Sequence, residues 1–255
     1  MRMASSRLAS TGVAILAMAC CSLPVHATEL IVSAASSLSN AFRDLAPAFE
    51  TAHPGARLSF NFAASDTLLA QIANGAPVDV LASADERVME RAAAARLLLP
   101  GSKRDFIANS MVLITPGDST RRLGKLSDLL DGSVRRIALG SPASVPAGRY
   151  AQATLIDAGL WPRIEPKAVY AQNVRQCLDY VARGEVDAGF VYGSDATLMG
   201  GRVKLAFTVR TSRPVRYPIA IVAGSTNARL AQGFIDLVTS PAGQAVLVRH
   251  GFVPN

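Results

Sequence analysis

The feature that most constrains this chain is an alternation that runs through twice. Short apolar runs of strand length take turns with amphipathic stretches of helical length. In the first set, Leu30–Ser33, Arg57–Phe62 and Val78–Ala82 read as strands. Helices are expected over Leu38–Thr51, over Thr67–Ala73 and after Ala82 as far as Ala95. Leu38, Ala41, Phe42, Leu45 and Phe49 fall on one face of the first helix, the spacing of a core-facing stripe. In the second set, the strands are Ser110–Thr115, Arg136–Gly140, Ala168–Tyr170 and Ala188–Tyr192, with helices at Gly148–Ala158 and Val174–Arg183. Tyr217–Val222 reads as a long strand, and helices around Asn227–Val238 and Pro241–Arg249 close the chain.

Strand–helix alternation with short links builds parallel sheets covered on both faces. Two sets require two sheets. The expected fold is therefore α/β and two-lobed, each lobe a parallel or mixed sheet. The tail after Val222 is too short to be a domain and is expected to pack back on the first lobe. That implies two crossings between lobes, near Asn109 and near Tyr217, with a hinge there. Residues 28–108 plus 220–255 are assigned to lobe 1, and 109–219 to lobe 2. Ligands of such sheets sit beyond the carboxyl ends of the strands, here in the cleft between lobes.

The N-terminus is not part of that pattern. Arg2 and Arg7 precede the apolar run Gly12–Leu23, and Val25-His26-Ala27 offers small residues at signal-peptidase spacing. Residues 1–27 are expected to be a secretory signal, its apolar stretch too short for a membrane span. A lipid anchor on Cys20 or Cys21 is the competing reading, although the residues before each cysteine fit it poorly. Beyond this leader no stretch is long and apolar enough to cross a bilayer. Cys177 is then the one remaining cysteine, which rules out an internal disulfide and suits a small buried residue on a helix. Without Arg2 and Arg7 the formal charge falls from +7 to +5. The positive residues are scattered with few aromatics among them, which argues against a nucleic-acid partner. A basic balance suits an anion.

Four strand-to-helix turns share one chemistry. They are Ala34-Ala35-Ser36-Ser37-Leu38, Ala63-Ala64-Ser65-Asp66-Thr67, Val145-Pro146-Ala147-Gly148 and Gln172-Asn173-Val174. Each presents free backbone N–H groups at the positive end of a helix dipole. Two add serine hydroxyls. Aimed at one gap, such ends hold an anion without a basic side chain. Taken singly, serine and asparagine there are ordinary N-caps.

These stretches, with Gln71–Val80, Ala82–Asp85, Asn109–Ile114, Val145–Tyr150, Asn173–Gln176 and Gly184–Asp195, resemble the periplasmic molybdate-binding proteins of ABC transporters. The resemblance runs from Leu30 to Asn255. It implies a type II periplasmic binding protein with an interlobe cleft, exported to the periplasm. Such a protein captures molybdate, and tungstate with it, for a membrane permease. It implies no cofactor and no direct protein ligand to the metal, and it is compatible with a monomer. In that family two serines, two backbone amides and a tyrosine hydroxyl hold the oxyanion. Residue by residue these fall on Ser37, Ser65, Ala147, Val174 and Tyr192. Another tetrahedral oxyanion, sulfate or phosphate, is the alternative ligand.

Asp66 departs from the small or hydroxyl residue usual after the second serine. An acid in a first helical turn is expected to face water, and the sharper reading has it touch the ligand. Arg149 and Arg175 each follow a proposed amide donor and are expected on the outer faces of their helices. Tyr150 and Tyr170 read as core or rim. Enzyme function finds little support: His53 and His250 lie by turn residues, and no nucleophile elbow, phosphate loop or metal-spaced cluster occurs. Asp79, Asp85 and Asp195 suit strand-end and cap roles. A sensing domain of a transcription regulator could share the fold, but the export signal and the lack of a DNA-binding helix pair oppose it.

Overall fold

A computed structural model of the chain describes residues 27–255. The leader expected over 1–27, apart from Ala27, and the alternative anchor at Cys20 or Cys21 lie outside the described residues.

The first half runs β1 (Thr28–Ala35), a 3-10 turn at Ser36–Leu38, α1 (Ser39–Ala52), β2 (Ala56–Ala63), α2 (Ser65–Ala73), β3 (Val80–Ala82), α3 (Glu86–Ala94) and β4 (Arg104–Asn109). The chain continues through β5 (Met111–Pro116), β6 (Ile137–Gly140), α4 (Pro146–Asp157), α5 (Trp161–Ile164), β7 (Ala168–Ala171), α6 (Val174–Ala182), β8 (Ala188–Tyr192), α7 (Gly193–Ala196) and β9 (Val203–Val209). It ends with β10 (Val215–Ile221), α8 (Ala228–Thr239) and α9 (Pro241–Arg249).

Two five-stranded sheets result, ordered β2-β1-β3-β10-β4 and β7-β6-β8-β5-β9. In the first, β1 runs parallel to β2 and β3 while β10 is antiparallel to both neighbours. In the second, β6 is parallel to β7 and β8 while β5 is antiparallel to β8 and β9. Both sheets are thus mixed, and the antiparallel members are the strands that carry the chain between lobes. Ser110 alone separates β4 from β5. The return joins the first sheet at Val215, ahead of the 220 read from sequence, because Val215 and Arg216 pair with Asn109 and Ala108 of the outgoing strand.

β4 and β9 were not expected as strands. Each lies at a sheet edge, and its extended form is set by a long partner, β10 or β5, rather than by its own mixed pattern. The stripe on α1 is buried as its spacing requires, and Phe42 meets Phe234 of α8 edge-on at 5.2 Å. Complete burial of such a ring contributes about 1.5–3 kcal/mol. Val253 exchanges backbone hydrogen bonds with Ala108, and Asp79 accepts from Ile31 N–H, Ser225 and Asn227. These contacts bind the closing helices to the first lobe.

One pair of glycines sets the position of α4. A Cβ on Gly148 would stand 1.8 Å from the Gly140 carbonyl oxygen, and one on Gly140 would stand 2.5 Å from Val145 Cγ1. Their bareness lets the start of α4 settle directly on the end of β6, which brings Ala147 to the cleft.

Candidate ligand-binding site

Ser37, Ser65, Ala147, Val174 and Tyr192 converge on one pocket between the lobes, together with Ala84. All five are buried. The pocket has room of only about 10 Å³ for the centre of a water-sized sphere. Drug-sized ligands need roughly 300–1,000 Å³, so this space suits a small ion rather than a sugar or a peptide.

Helix geometry explains the convergence. α1 with its 3-10 turn and α2 follow parallel strands of the first sheet, α4 and α6 follow β6 and β7, and all begin at the carboxyl ends of those strands. The serines are not caps. Ala64 and Leu38 occupy the N-cap positions of α2 and α1, Val145 that of α4, and none makes a side-chain cap bond. Three of these four helix starts therefore keep their first amides unsatisfied by capping side chains. At α6, Asn173 caps the Gln176 amide at 3.0 Å and leaves that of Val174 at the pocket.

The hydroxyls are aimed by neighbours that sequence reading missed. Ala84 N–H donates to Ser65 Oγ at 3.0 Å, so the Ser65 proton is left to point elsewhere. Ser37 Oγ lies 2.9 Å from the Tyr217 hydroxyl, which accepts from Asn109 Nδ2 at 3.3 Å. Either hydroxyl of this pair can donate to the other; when Tyr217 donates to Ser37, the Ser37 proton is free for the pocket. Tyr192 Oη is buried with no hydrogen-bond partner in the protein. Burial, then the nearby phenols of Tyr217 and Tyr150 and the carboxylates of Asp85 and Asp195, push its pKa well above the ordinary value, so it remains a protonated donor. The polar side chains lining the pocket are set to donate, and none carries a charge.

Two expectations about charged residues are corrected. Asp66 does not face water: its side chain is 10% exposed and forms ion pairs with Arg91 and, at 2.7 Å, with Arg149 of the other lobe. Nor does its carboxylate line the pocket, because these guanidinium groups hold it outside. Arg149 does not lie on an outer face. It crosses the cleft to Asp85 through Nε at 3.0 Å and Nη2 at 2.6 Å. Burial alone would lower the Arg149 pKa, but Asp85 and then Asp66 outweigh it and raise it. Arg175 also crosses, donating to the Ser37 carbonyl and to Asn40. In both cases the partner lies on the opposite lobe, beyond the reach of helical periodicity.

The remaining candidates are structural. His53 stacks on Phe49 at 4.3 Å, and His250 pairs with Asp44. Asp85 caps α3 through the Val88 amide. Cys177 is fully buried, which pushes its thiol pKa far up and makes it inert. Tyr170 is exposed on edge strand β7. Tyr150 borders a wider cleft of about 650 Å³, whose walls mix Glu86 and Glu90 with Arg87 and Arg213. That cleft has charges of both signs and no convergent set of donors. Among the described residues no group of His, Cys, Asp and Glu is placed to hold a metal ion.

Two lobes joined by paired crossings, with a small pocket between them lined by donors, define a solute-binding protein. The family model for bacterial extracellular solute-binding proteins matches residues 30–253, and the chain belongs to that family. Its members are binding proteins rather than enzymes, which removes the enzyme alternative. Molybdate-binding protein ModA of Escherichia coli is 35% identical over 88% of this chain and 88% of its own length. A Bacillus subtilis protein described as a putative ABC transporter substrate-binding lipoprotein is 32% identical over 88% and 85%. Among solved structures, the substrate-binding domain of a putative molybdenum ABC transporter from Clostridium difficile is 32% identical, with a TM-score of 0.69 over 89% of this chain and 99% of that one. The periplasmic molybdate-binding protein of Azotobacter vinelandii reaches a TM-score of 0.78 at 23% identity, over 89% and 99%. At that identity the likeness shows the fold alone.

Proposed function

We propose that this protein is the periplasmic capture component of an ABC importer and that its ligand is molybdate, with tungstate accepted alongside. The single observation that carries the reading is the Tyr192 hydroxyl, buried and unpartnered, in the same small pocket as the hydroxyls of Ser37 and Ser65. An orphaned buried hydroxyl is costly, and a tetrahedral anion would supply its acceptor. In this reading, the three hydroxyls and the amides at the starts of α4 and α6, including those of Ala147 and Val174, surround the four oxygens. The helix dipoles add to the attraction. The relatives named above favour molybdate among the oxyanions. A monohydrogen anion such as phosphate fits less well, because its proton needs an acceptor and the nearby carboxylates of Asp66 and Asp85 are turned onto Arg149.

The leader at 1–27 would export the chain, and the loaded monomer would dock on a membrane permease. Calorimetric titration with molybdate, tungstate, sulfate and phosphate tests the proposal. Tight binding of molybdate and tungstate is expected. Preferred binding of sulfate or phosphate would overturn the ligand assignment, and no binding of any of the four would overturn the site.

A further inference from the structure

Arg175 is the second residue of α6, directly after Val174, whose backbone borders the pocket. Its guanidinium meets three partners. Nη2 donates to the Ser37 carbonyl at 3.0 Å, Nη1 donates to Asn40 Oδ1 at 2.8 Å, and Nε lies 2.6 Å from Asp195 Oδ1. Ser37 and Asn40 belong to the first lobe, Arg175 and Asp195 to the second. Asp195 is fully buried and is not among the pocket's lining residues. A buried carboxylate is expensive unless paired, and the ion-pair partner of Asp195 is Arg175.

This arrangement has a direction. Asp195 and Arg175 lie on the same lobe, so their pair survives when the cleft opens. Nε lies against Asp195 as an ion pair without a directed hydrogen bond, and the planar fork presents Nη1 and Nη2 toward the first lobe. The carbonyl they grip belongs to Ser37, the residue whose hydroxyl faces the pocket. Closing the cleft therefore locks Ser37 in place against the start of α6.

We propose that Arg175 is a positioning residue that latches the closed cleft, with Asp195 as its anchor and the Ser37 carbonyl and Asn40 as its catch. The proposal rests on the oxyanion reading of the pocket and adds what sets the ligand's dwell time. The latch engages only on closure. Its loss therefore speeds release and leaves encounter nearly unchanged, the usual division for contacts made after docking. A merely structural arginine, serving only to neutralise Asp195, would leave the dissociation rate unaffected by loss of its first-lobe partner Asn40.

The test uses molybdate as probe and stopped-flow tyrosine fluorescence on wild type, Arg175→Met, Arg175→Lys, Asn40→Ala and the double variant Arg175→Met/Asn40→Ala. Arg175→Met is expected to raise the dissociation rate about ten- to a hundredfold, with association within about threefold. Asn40→Ala is expected to raise dissociation about fivefold, and the double variant should release no faster than Arg175→Met, since both changes remove one shared contact. Arg175→Lys should recover only part, because an ammonium cannot serve three directions as the fork does. Melting of ligand-free Asn40→Ala should stay unchanged, whereas Arg175→Met, which strips the buried Asp195 carboxylate of its partner, should melt lower. An unchanged dissociation rate in Arg175→Met and Asn40→Ala, or an additive double variant, overturns the latch alone. If Arg175→Met does not fold, Asn40→Ala decides, since it leaves the Arg175–Asp195 pair intact. A wild type that does not bind molybdate overturns the oxyanion reading and the latch with it.

Discussion

Tyr192→Phe separates binding from folding more cleanly than any other change at the site. The ring is 1% exposed and packs edge-on against Tyr217 at 5.7 Å, and a phenylalanine would keep both contacts. The hydroxyl has no partner in the protein. An unsatisfied buried polar group costs about 1–3 kcal/mol, so removing it should leave the ligand-free protein equally stable or raise its melting temperature by a few degrees. Binding should move the other way. A hydrogen bond to a charged acceptor is worth about 1.5–3 kcal/mol, so molybdate affinity should fall about ten- to a hundredfold. Calorimetric titration gives the second quantity and a thermal melt without ligand gives the first. Opposite signs are the expected outcome. Affinity unchanged from wild type would mean that the hydroxyl does not meet the ligand, and the proposed donor set would be wrong.

Ser37→Ala and Ser65→Ala should each weaken molybdate binding about ten- to a hundredfold by titration. Val174→Pro should abolish measurable binding, because proline removes the amide facing the pocket, whereas Val174→Ala should bind within a few-fold of wild type. Asp66→Ser should leave molybdate affinity within a few-fold, since its carboxylate is spent on Arg149 and Arg91; a large gain in affinity would place it in the site. Burial raises the Asp195 pKa to about 6, against the opposing pull of Arg175. A pKa raised on folding adds stability that is complete below the unfolded value near 3.8 and is lost as pH rises through 6. Asp195→Asn should therefore flatten the fall in melting temperature of the ligand-free protein between about pH 4 and 6, and an unaltered pH profile would refute the assignment.

Much of the architecture could be read from local pattern. β8 ends at Tyr192 and α9 spans Pro241–Arg249 as expected, because Gly193 breaks one and Ser240 with Pro241 starts the other. β4 and β9 could not be read so, because an edge strand takes its form from the strand it pairs with. Nor could the return at Val215, which is set by pairing with Asn109. At the site, the sequence showed four helix starts with free amides, for each of which taken singly ordinary capping was the favoured account, and only their combination pointed to a ligand. It took the resemblance to select Ser37 over Ser36 and to add Tyr192. The structure then removed capping from the account at three of the four by placing Ala64, Leu38 and Val145 at the cap positions, and kept it at Asn173.

What stayed hidden is the layer behind the pocket. Tyr217 reaches Ser37 across 180 positions of sequence, and Arg149 reaches Asp85 across 64. No periodicity carries information over such separations. A polar residue at a chain crossing was the one available sign, and Asn109 is such a residue. It accepts from the Ser110 amide and donates to Ser194 and to Tyr217, so it ties both lobes to the phenol that aims Ser37. The two arginines divide the rest of the task. Arg175 holds the loop of Ser37, while Arg149 holds the residue after Ser65 and the residue after Ala84, whose amide orients Ser65. Each hydroxyl donor of the first lobe is thus gripped from the second by a charged group that does not line the pocket. The pocket itself stays free of charged side chains while charge holds the cleft closed around it.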